Sequence, residues 1–527
     1  MKAGFRQIMA QVHGWAGLLV GWLLYFVFVT GTIGYFNPEI DHWMRPEEPS
    51  AAMLPTPDVV VSQAMAHLHR RGAGAANWTI ALPGYRGQGL TDIRWRGGAD
   101  GKDGRESIDP ATGQTFVRVV RDTGGGRALY VMHYELRYMP DIWGIWAVGV
   151  AAMAMLLAIV TGVITHKKIF RDFFTFRPGK RQRSWLDAHN LLSVAALPFC
   201  LMITYSGLVF FDYQYVFAAP RIVYGAGNED RFYAERDPRE RDDDGGGTGP
   251  AASMAPTDTM LAIAQRHWGA GQVGRISIEH PERAGARVTL HRHPSTILRS
   301  GGDALIFDGV SGRTLGLSAA RTAVIGTFRA GLLGLHEGLF ASGVLRWLYF
   351  LSGCAGTAMV ATGLILWTSK RREKADRLGI EPPTGVRVAE PLNAGVIAGL
   401  PVGIAAYFWA NRLLPIGMAN RADWEIHSLF LTWAAMLLWA GIVSPQRAWT
   451  RLLWTGAVAF GLLPVINAVT TGRHIALALA KGDGLFVGFD LTMLVAATLS
   501  GSIAIRMRHW DDRPAPQRSA RCRQVAA

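Results

Sequence analysis

The chain has 527 residues, half of them hydrophobic and only 18% charged, against about 25% charged in ordinary soluble domains. This excludes a disordered chain and argues against a wholly soluble one. The net charge of +14 does not point to nucleic acid, because the Lys and Arg flank apolar runs, where membrane topology accounts for them.

A membrane span needs about 20 apolar residues, and eight stretches qualify: 14–36, 142–165, 190–212, 345–367, 392–413, 425–443, 450–469 and 484–505. The first is too long for a signal peptide. Its end, Gly31-Thr32-Ile33-Gly34-Tyr35, lacks a small-x-small cleavage site, so an uncleaved anchor is expected. The organisation predicted in chain order is a first span ending at residue 36, a hydrophilic segment 37–141, a span 142–165, a basic loop 166–189 and a span 190–212. A second hydrophilic segment 213–335, a fourth span with its lead-in 336–370, a linker 371–391, a four-span extension 392–505 and a basic tail 506–527 follow.

Orientation follows from Lys and Arg. Lys167, Lys168, Arg171, Arg177, Lys180, Arg181 and Arg183 fill the loop after span two, Lys370, Arg371 and Arg372 follow span four, and six arginines fill the tail. Both termini are therefore expected in the cytoplasm and both hydrophilic segments outside it, in the bacterial periplasm. Of three cysteines, Cys200 and Cys354 lie in apolar runs and read as small buried hydrophobes, and Cys522 lies in the tail. No CxxC or CxxCH is present.

The chain repeats internally. His13 precedes Thr30-Gly31 by 17 residues, and His189 precedes Ser206-Gly207 by 17. On a helix that is roughly 25 Å, nearly a full crossing. His133 and His336 precede spans two and four, which end with Thr161-Gly162 and Thr362-Gly363. The hydrophilic segments match as well. Each opens with an amphipathic helix pattern (from Pro57 and from Pro256), continues in short alternating strands, and carries a turn, Asp109-Pro110-Ala111-Thr112-Gly113 or Asp308-Gly309-Val310-Ser311-Gly312. Residues 1–370 thus read as two copies of span, small α+β domain, span.

The histidines group by side. His13 and His189 fall at the cytoplasmic ends of equivalent spans, and His133 and His336 at the outer approaches to the others. A lone histidine at a membrane edge is usually an interfacial polar residue. Two facing imidazoles across a porphyrin instead make an electron-transfer haem, and helix bundles hold such sites. His166, ending span two, competes with His13 and His189 as a ligand or as a propionate partner; Lys167 and Lys168 beside it read as topology charges. His67, His69, His280, His291 and His293 read as solvated outer residues, with His291-x-His293 a weaker metal candidate on one strand face. The late Thr-Gly and Ser-Gly pairs allow close helix packing and equally leave room for a porphyrin. In the extension, Asp490 lies inside an apolar run, with His427, Glu425, Arg473 and His474 near the same side. A proton path, a quinone pocket or a structural ion pair such as Asp490 with Arg473 are the alternatives. Asp242-Asp243-Asp244-Gly245-Gly246-Gly247 reads as a solvated loop. No dinucleotide fingerprint, P-loop or catalytic triad is legible, and no catalytic residue is assigned.

His13 before Thr30-Gly31, the Asp109-Pro110-Ala111-Thr112-Gly113 turn, Trp185-Leu186-Asp187-Ala188-His189 and Leu335-His336-Glu337-Gly338-Leu339 together resemble the PepSY-associated transmembrane family, also described as iron-regulated membrane proteins. The resemblance covers about residues 5–370. It implies a polytopic α-helical inner-membrane protein, with two small α+β PepSY-like outer domains inserted after spans one and three. Some members look like ferrisiderophore reductases, which implies two non-covalent b-type haems held through His13, His189, His133 and His336. The expected function is therefore transmembrane reduction of ferric siderophores in iron uptake, with electrons from quinol or a cytoplasmic reductase. The alternatives are a haem-free PepSY binding or regulatory protein and an iron or siderophore permease using the extra spans. The extension beyond residue 390 departs from the four-span members.

Overall fold

A computed structural model describes residues 4–49, 54–98, 101–117, 119–166, 173, 177, 182–216, 218–228, 231–232, 249–298, 303–317 and 324–511. Lys167, Lys168, Asp242–Asp244, Cys522 and the arginines of the tail beyond residue 511 lie outside the described residues.

The chain divides into two compact units, residues 1–364 with 479–486, and residues 365–478 with 487–527. In the first, α1 (Phe5–Gly34) crosses the apolar zone and is followed by a short α2 (Asn37–Met44) and by α3 (Pro57–Arg71). Strands β1 (Asn77–Ala81), β2 (Thr91–Arg96), β3 (Gly104–Asp109) and β4 (Gln114–Thr115) come next, then α4 (Gly125–Met132) and the spanning α5 (Asp141–Thr165). The second copy runs α6 (Gln182–Phe210), α7 (Thr257–Trp268), β5 (Val273–Glu279), β6 (Arg287–Arg292), β7 (Ala304–Asp308), β8 (Thr314–Leu317), α8 (Val324–Glu337) and α9 (Gly343–Leu378).

The two inserted domains do not stand apart. They form one eight-stranded antiparallel sheet, ordered β4-β3-β2-β1-β5-β6-β7-β8, in which β1 joins β5 with Trp78 opposite Ile278 and Ile80 opposite Ile276. Strand alternation puts Trp78, Ile80, Ile93, Ile276, Ile278, Val288, Leu290 and Phe307 on one face, where Val61, Leu68, Leu261 and Ala264 of α3 and α7 cover them in a common core. The two predicted turns are formed alike. Asp109 Oδ1 accepts from the Ala111 amide at 3.0 Å, and Asp308 Oδ1 accepts from Val310 and Ser311 at 3.1 and 2.7 Å. Each turn closes on a glycine in the left-handed region, Gly113 at φ 69° and Gly312 at φ 71°.

The second unit holds the rest of α9, then α10 (Thr384–Ile397), α11 (Gly399–Leu413), α12 (Arg421–Ile442), α13 (Pro445–Thr471) and most of α14 (Gly484–Asp511). Residues Thr384–Leu413 make one apolar crossing, so eight helical segments are long and apolar enough to span a membrane, as the sequence predicts. One expectation is corrected. Cys200 is buried, but Cys354 is exposed, because it lies on the outward face of α9 while its neighbours Gly353 and Gly356 pack inward against α1. An apolar run marks a membrane helix without telling which of its faces meets protein.

Candidate functional site

The four repeated hydroxyl residues behave identically. Thr30, Thr161, Ser206 and Thr362 each donate to the carbonyl four residues back, at 2.8, 2.7, 2.6 and 2.8 Å. The hydroxyl is thereby satisfied within its own helix, and the glycine beside it leaves a bare patch of helix surface. A histidine ring from a neighbouring segment fills each patch. A Cβ added to Gly162 would lie 3.2 Å from His13 Cε1, and one on Gly363 would lie 3.1 Å from His189 Cε1. One on Gly207 would lie 3.1 Å from His336 Cε1, and one on Gly31 would lie 3.5 Å from His133 Cδ2.

These seats bring the histidines together in two pairs. His13 and His189 have ring centres 6.2 Å apart, and His133 and His336 have theirs 6.3 Å apart. The second pair lies at the sheet-bearing end of α1 and the first at the opposite end, since His13 and Gly31 are 18 positions apart on one helix, roughly 27 Å. His166 caps α5 with its amide bonded to the Gly162 carbonyl, and its ring forms no hydrogen bond or ring contact among the described residues. Of the three candidates at that end, His13 and His189 are thus the two that face each other.

The ring nitrogens are differentiated. His13 Nδ1 donates to the Ala158 carbonyl at 2.8 Å, and His189 Nδ1 donates to the Met359 carbonyl at 3.0 Å. His133 Nδ1 donates to the Tyr130 carbonyl, and His336 Nδ1 lies 2.9 Å from Ser206 Oγ. With the proton held on Nδ1, each Nε2 keeps its lone pair, and no Nε2 of the four has a hydrogen-bond partner among the described residues. Metal-ligating histidines are fixed in this way through their second nitrogen. Burial pushes the His133 ring below the ordinary imidazole range, and burial, then the charge of His133, pushes His336 down to about 3. Both rings are therefore neutral near pH 7, as a ligand must be. Two imidazoles sharing one metal ion would, with metal–nitrogen bonds of about 2 Å and roughly 1 Å from each nitrogen to its ring centre, have ring centres about 6 Å apart, close to the 6.2 and 6.3 Å of the two pairs.

A cavity of about 510 Å³ opens onto the second pair, within the roughly 300–1,000 Å³ usual for cofactor and ligand sites. Its walls are largely apolar and aromatic, with Phe28, Phe199, Phe210 and Phe211 beside the bare backbones of Gly31 and Gly207. Sequence reasoning assigned no role to its acidic members, Glu135, Asp141 and Glu337, of which only Glu337 stands in a quoted motif, beside His336. At the other end Asp187 of the Trp185–His189 motif is buried and takes a two-point ion pair from Arg177, at 2.9 and 3.0 Å, which anchors the start of α6.

The other predicted residues lie elsewhere. His67 bonds the Gly113 carbonyl at 3.0 Å, His69 pairs with Glu282 at 2.7 Å, and His291 bonds Ser277 at 3.3 Å. The expected shared strand face of His291 and His293 is corrected: β6 ends at Arg292, and the His293 ring turns back onto Ser295 at 2.6 Å. No group of three or more candidate metal ligands occurs among the described residues.

In the second unit, Asp490 and Glu425 belong to one buried polar network. Arg412 Nε donates to Asn467 Oδ1 at 2.9 Å, and Asn467 Nδ2 donates to Asp490 Oδ2 at 3.3 Å. Asn411 Nδ2 donates to Glu425 Oε1 at 2.8 Å, and Glu425 pairs with Arg421. All six side chains are buried. His427 stands against Trp424, with ring centres 5.4 Å apart. His474 is exposed, and its Nδ1 accepts from the Leu477 amide at 3.2 Å, so it caps the short helix Ile475–Ala480.

Eight apolar helices with a duplicated span–sheet–span arrangement define a multi-pass helical membrane protein. Residues 10–370 match the family described as the PepSY-associated TM region, and the chain belongs to that family. An uncharacterized protein of Pseudomonas aeruginosa is 26% identical over 370 residues, which cover 67% of this chain and 88% of that one. The family match ends before the four-span extension.

Proposed function

We propose that the chain is a di-haem oxidoreductase of the bacterial inner membrane, with both termini cytoplasmic, passing electrons across the membrane to ferric siderophores. The observation that carries this reading is the doubled histidine arrangement: two pairs at opposite ends of α1, ring centres 6.2 and 6.3 Å apart, every Nδ1 tied and every Nε2 open. His13 and His189 would hold one haem b, and His133 and His336 the other. When bound, such a group supplies a one-electron redox centre whose potential is set by its axial ligands and surroundings.

The chain's own residues have defined tasks. The four glycines admit the rings, and the Nδ1 bonds hold their tautomer and rotation. Phe28, Phe199, Phe210 and Phe211 keep water from the outer pair. Each ferric ion takes one electron and becomes ferrous, which siderophore oxygens hold less tightly than the harder ferric ion. A quinol donor would give two electrons and two protons for two ferric ions, and a cytoplasmic reductase would give the electrons directly.

The test is an absorption spectrum of the purified protein before and after dithionite, with haem counted per chain, followed by an assay with ferric siderophore. A sharp reduced α band with two haems per chain is expected, falling to one in His189→Ala or His336→Ala. Protein without haem, from a host that makes it, overturns the reading.

A further inference from the structure

The four-span extension lies outside the family match, yet residues 479–486 within it belong to the first unit. They lead into α14 and lie against α2. His42 Nε2 is 3.0 Å from Asp483 Oδ2, and both side chains are buried. Asp483 Oδ1 also accepts from the Phe486 amide at 3.2 Å, which fixes the first turn of α14. The buried Phe486 ring stands 5.9 Å from the His42 ring and 6.3 Å from that of Trp43. Leu485 packs over Gly87, where a Cβ would lie 2.5 Å from Leu485 Cδ1 and the φ of 99° independently favours glycine. One polar bond and two apolar side chains thus dock this segment on the first unit.

Helix α2 carries the docking onward. Asp41, next to His42, accepts from the Gly126 amide at 3.0 Å at the start of α4, where a carboxylate suits the helix N-terminus. Gly125 and Gly126 have no room for a Cβ against Asp41 and Asn37. Helix α4 has eight residues, roughly 12 Å, and His133 caps its far end with Nδ1 on the Tyr130 carbonyl. Glu39 accepts from Arg86 at 2.8 Å and from Arg346 of α9 at 2.6 Å. Helix α2 therefore holds α9, α4 and residues 479–486 through Glu39, Asp41 and His42.

We propose that residues 479–486 are a strap by which the extension positions His133: the His42–Asp483 bond fixes α2, and α2 fixes the start of the short helix that ends on His133. His42 and Asp483 are positioning residues. The inference rests on the electron-transfer reading for what His133 serves, and on the contacts above for the strap itself. A ligating ring must be held to within about 0.5 Å, and loss of a supporting hydrogen bond costs about 10–100-fold in metal affinity. The extension thereby acquires a task in the first unit.

The experiment compares the full wild-type chain in detergent with Asp483→Leu, which deletes the bond, and with Asp483→Asn, whose amide keeps an oxygen for the Phe486 amide and a donor for the His42 ring. Hydrogen exchange, read with or without haem, is expected to rise about tenfold in α4 of the Leu variant. It should stay near wild type in the Asn variant, and the sheet core should not change in either. In the His189→Ala background, which leaves the outer pair's haem alone, transfer of that haem to apomyoglobin should become about tenfold faster with Asp483→Leu. Where Asp483→Leu does not assemble, Leu485→Ala trims the strap without stranding a polar group and should move both readouts the same way. Unchanged α4 exchange overturns the strap. Faster α4 exchange with unmoved haem transfer overturns the positioning of His133. A wild-type protein without haem overturns the electron-transfer reading, and α4 exchange then decides the strap by itself.

Discussion

His13 rests on Gly162 of the neighbouring helix so closely that a Cβ there would stand 3.2 Å from its Cε1. The same relation holds for His189 on Gly363 and for His336 on Gly207. The small residues are therefore seats for the histidines of the next segment, and the His–Gly spacing in the sequence records two halves of different contacts. A functional group must be held to within about 0.5 Å. Gly363→Val should displace His189 and reduce the haem count from two to about one, with the other pair untouched. Gly363→Ala, at a contact tighter than ordinary van der Waals distance, should weaken retention without abolishing it. Haem per chain and the reduced spectrum of each variant check this. Two haems in Gly363→Val would remove the seat from the argument.

Much of this was legible in the sequence, and the boundary is instructive. Eight apolar runs, the duplicated His and Thr-Gly signatures and the two Asp turns all depend on local pattern, and local pattern survives folding. The glycine on which each histidine rests does not. It depends on which helices are neighbours and on how each is rotated, and neither is encoded within a single span. The joining of β1 to β5 was invisible for a related reason. Both strands alternate as any half-buried strand does, and nothing in alternation names the partner edge. Asn411 and Asn467 escaped notice because each, alone, is one polar residue near an apolar run.

The histidines near the sheet impose a pH dependence with a definite sign. Burial, then the Arg275 guanidinium, pushes His291 down to about 4, and His336 lies at about 3. Both are below the roughly 6.5 of a free imidazole. The unfolded chain therefore binds protons that the native protein refuses between those values. The stabilising contribution is complete above about pH 6.5 and is lost as pH falls toward 3–4. Thermal melts of the haem-free protein should show a melting temperature that drops from pH 7 to pH 4. In His291→Asn the slope should be shallower. An unchanged slope would place the dependence elsewhere.

The buried pair Arg421–Glu425 offers a sharper energetic test. Both side chains are fully buried, and they lie one turn apart on α12. Removing one partner leaves an uncompensated charge in a dry interior, which costs about 3–5 kcal/mol, whereas replacing both by apolar residues of similar volume is often nearly neutral. Arg421→Met should therefore destabilise the extension strongly, and Arg421→Met/Glu425→Met should recover most of the loss. Asn411 donates to Glu425 at 2.8 Å and is left with an unmet donor in the double variant, so recovery should stop short of the wild type. Melting temperatures in detergent, taken as a double-mutant cycle, measure the coupling. Additive effects would show that the pair does not act as a unit.

The shared sheet makes a prediction about cooperativity. Ile80 of β1 lies opposite Ile276 of β5, and both are fully buried in the core that α3 and α7 cover together. Ile80→Ala removes three buried carbons at the junction of the two copies, and such truncations cost about 2–5 kcal/mol. Two independent inserted domains would confine the damage to residues 57–115. One sheet with one core must spread it, because β5 loses the packing of its neighbour as well as part of its own wall. Hydrogen exchange should therefore rise in β5 and β6 as well as in β1 and β2, and proteolysis should open both halves at one temperature. Exchange confined to the first half would mean that the β1–β5 ladder contributes no cooperativity, and that each copy is held by its own helix alone.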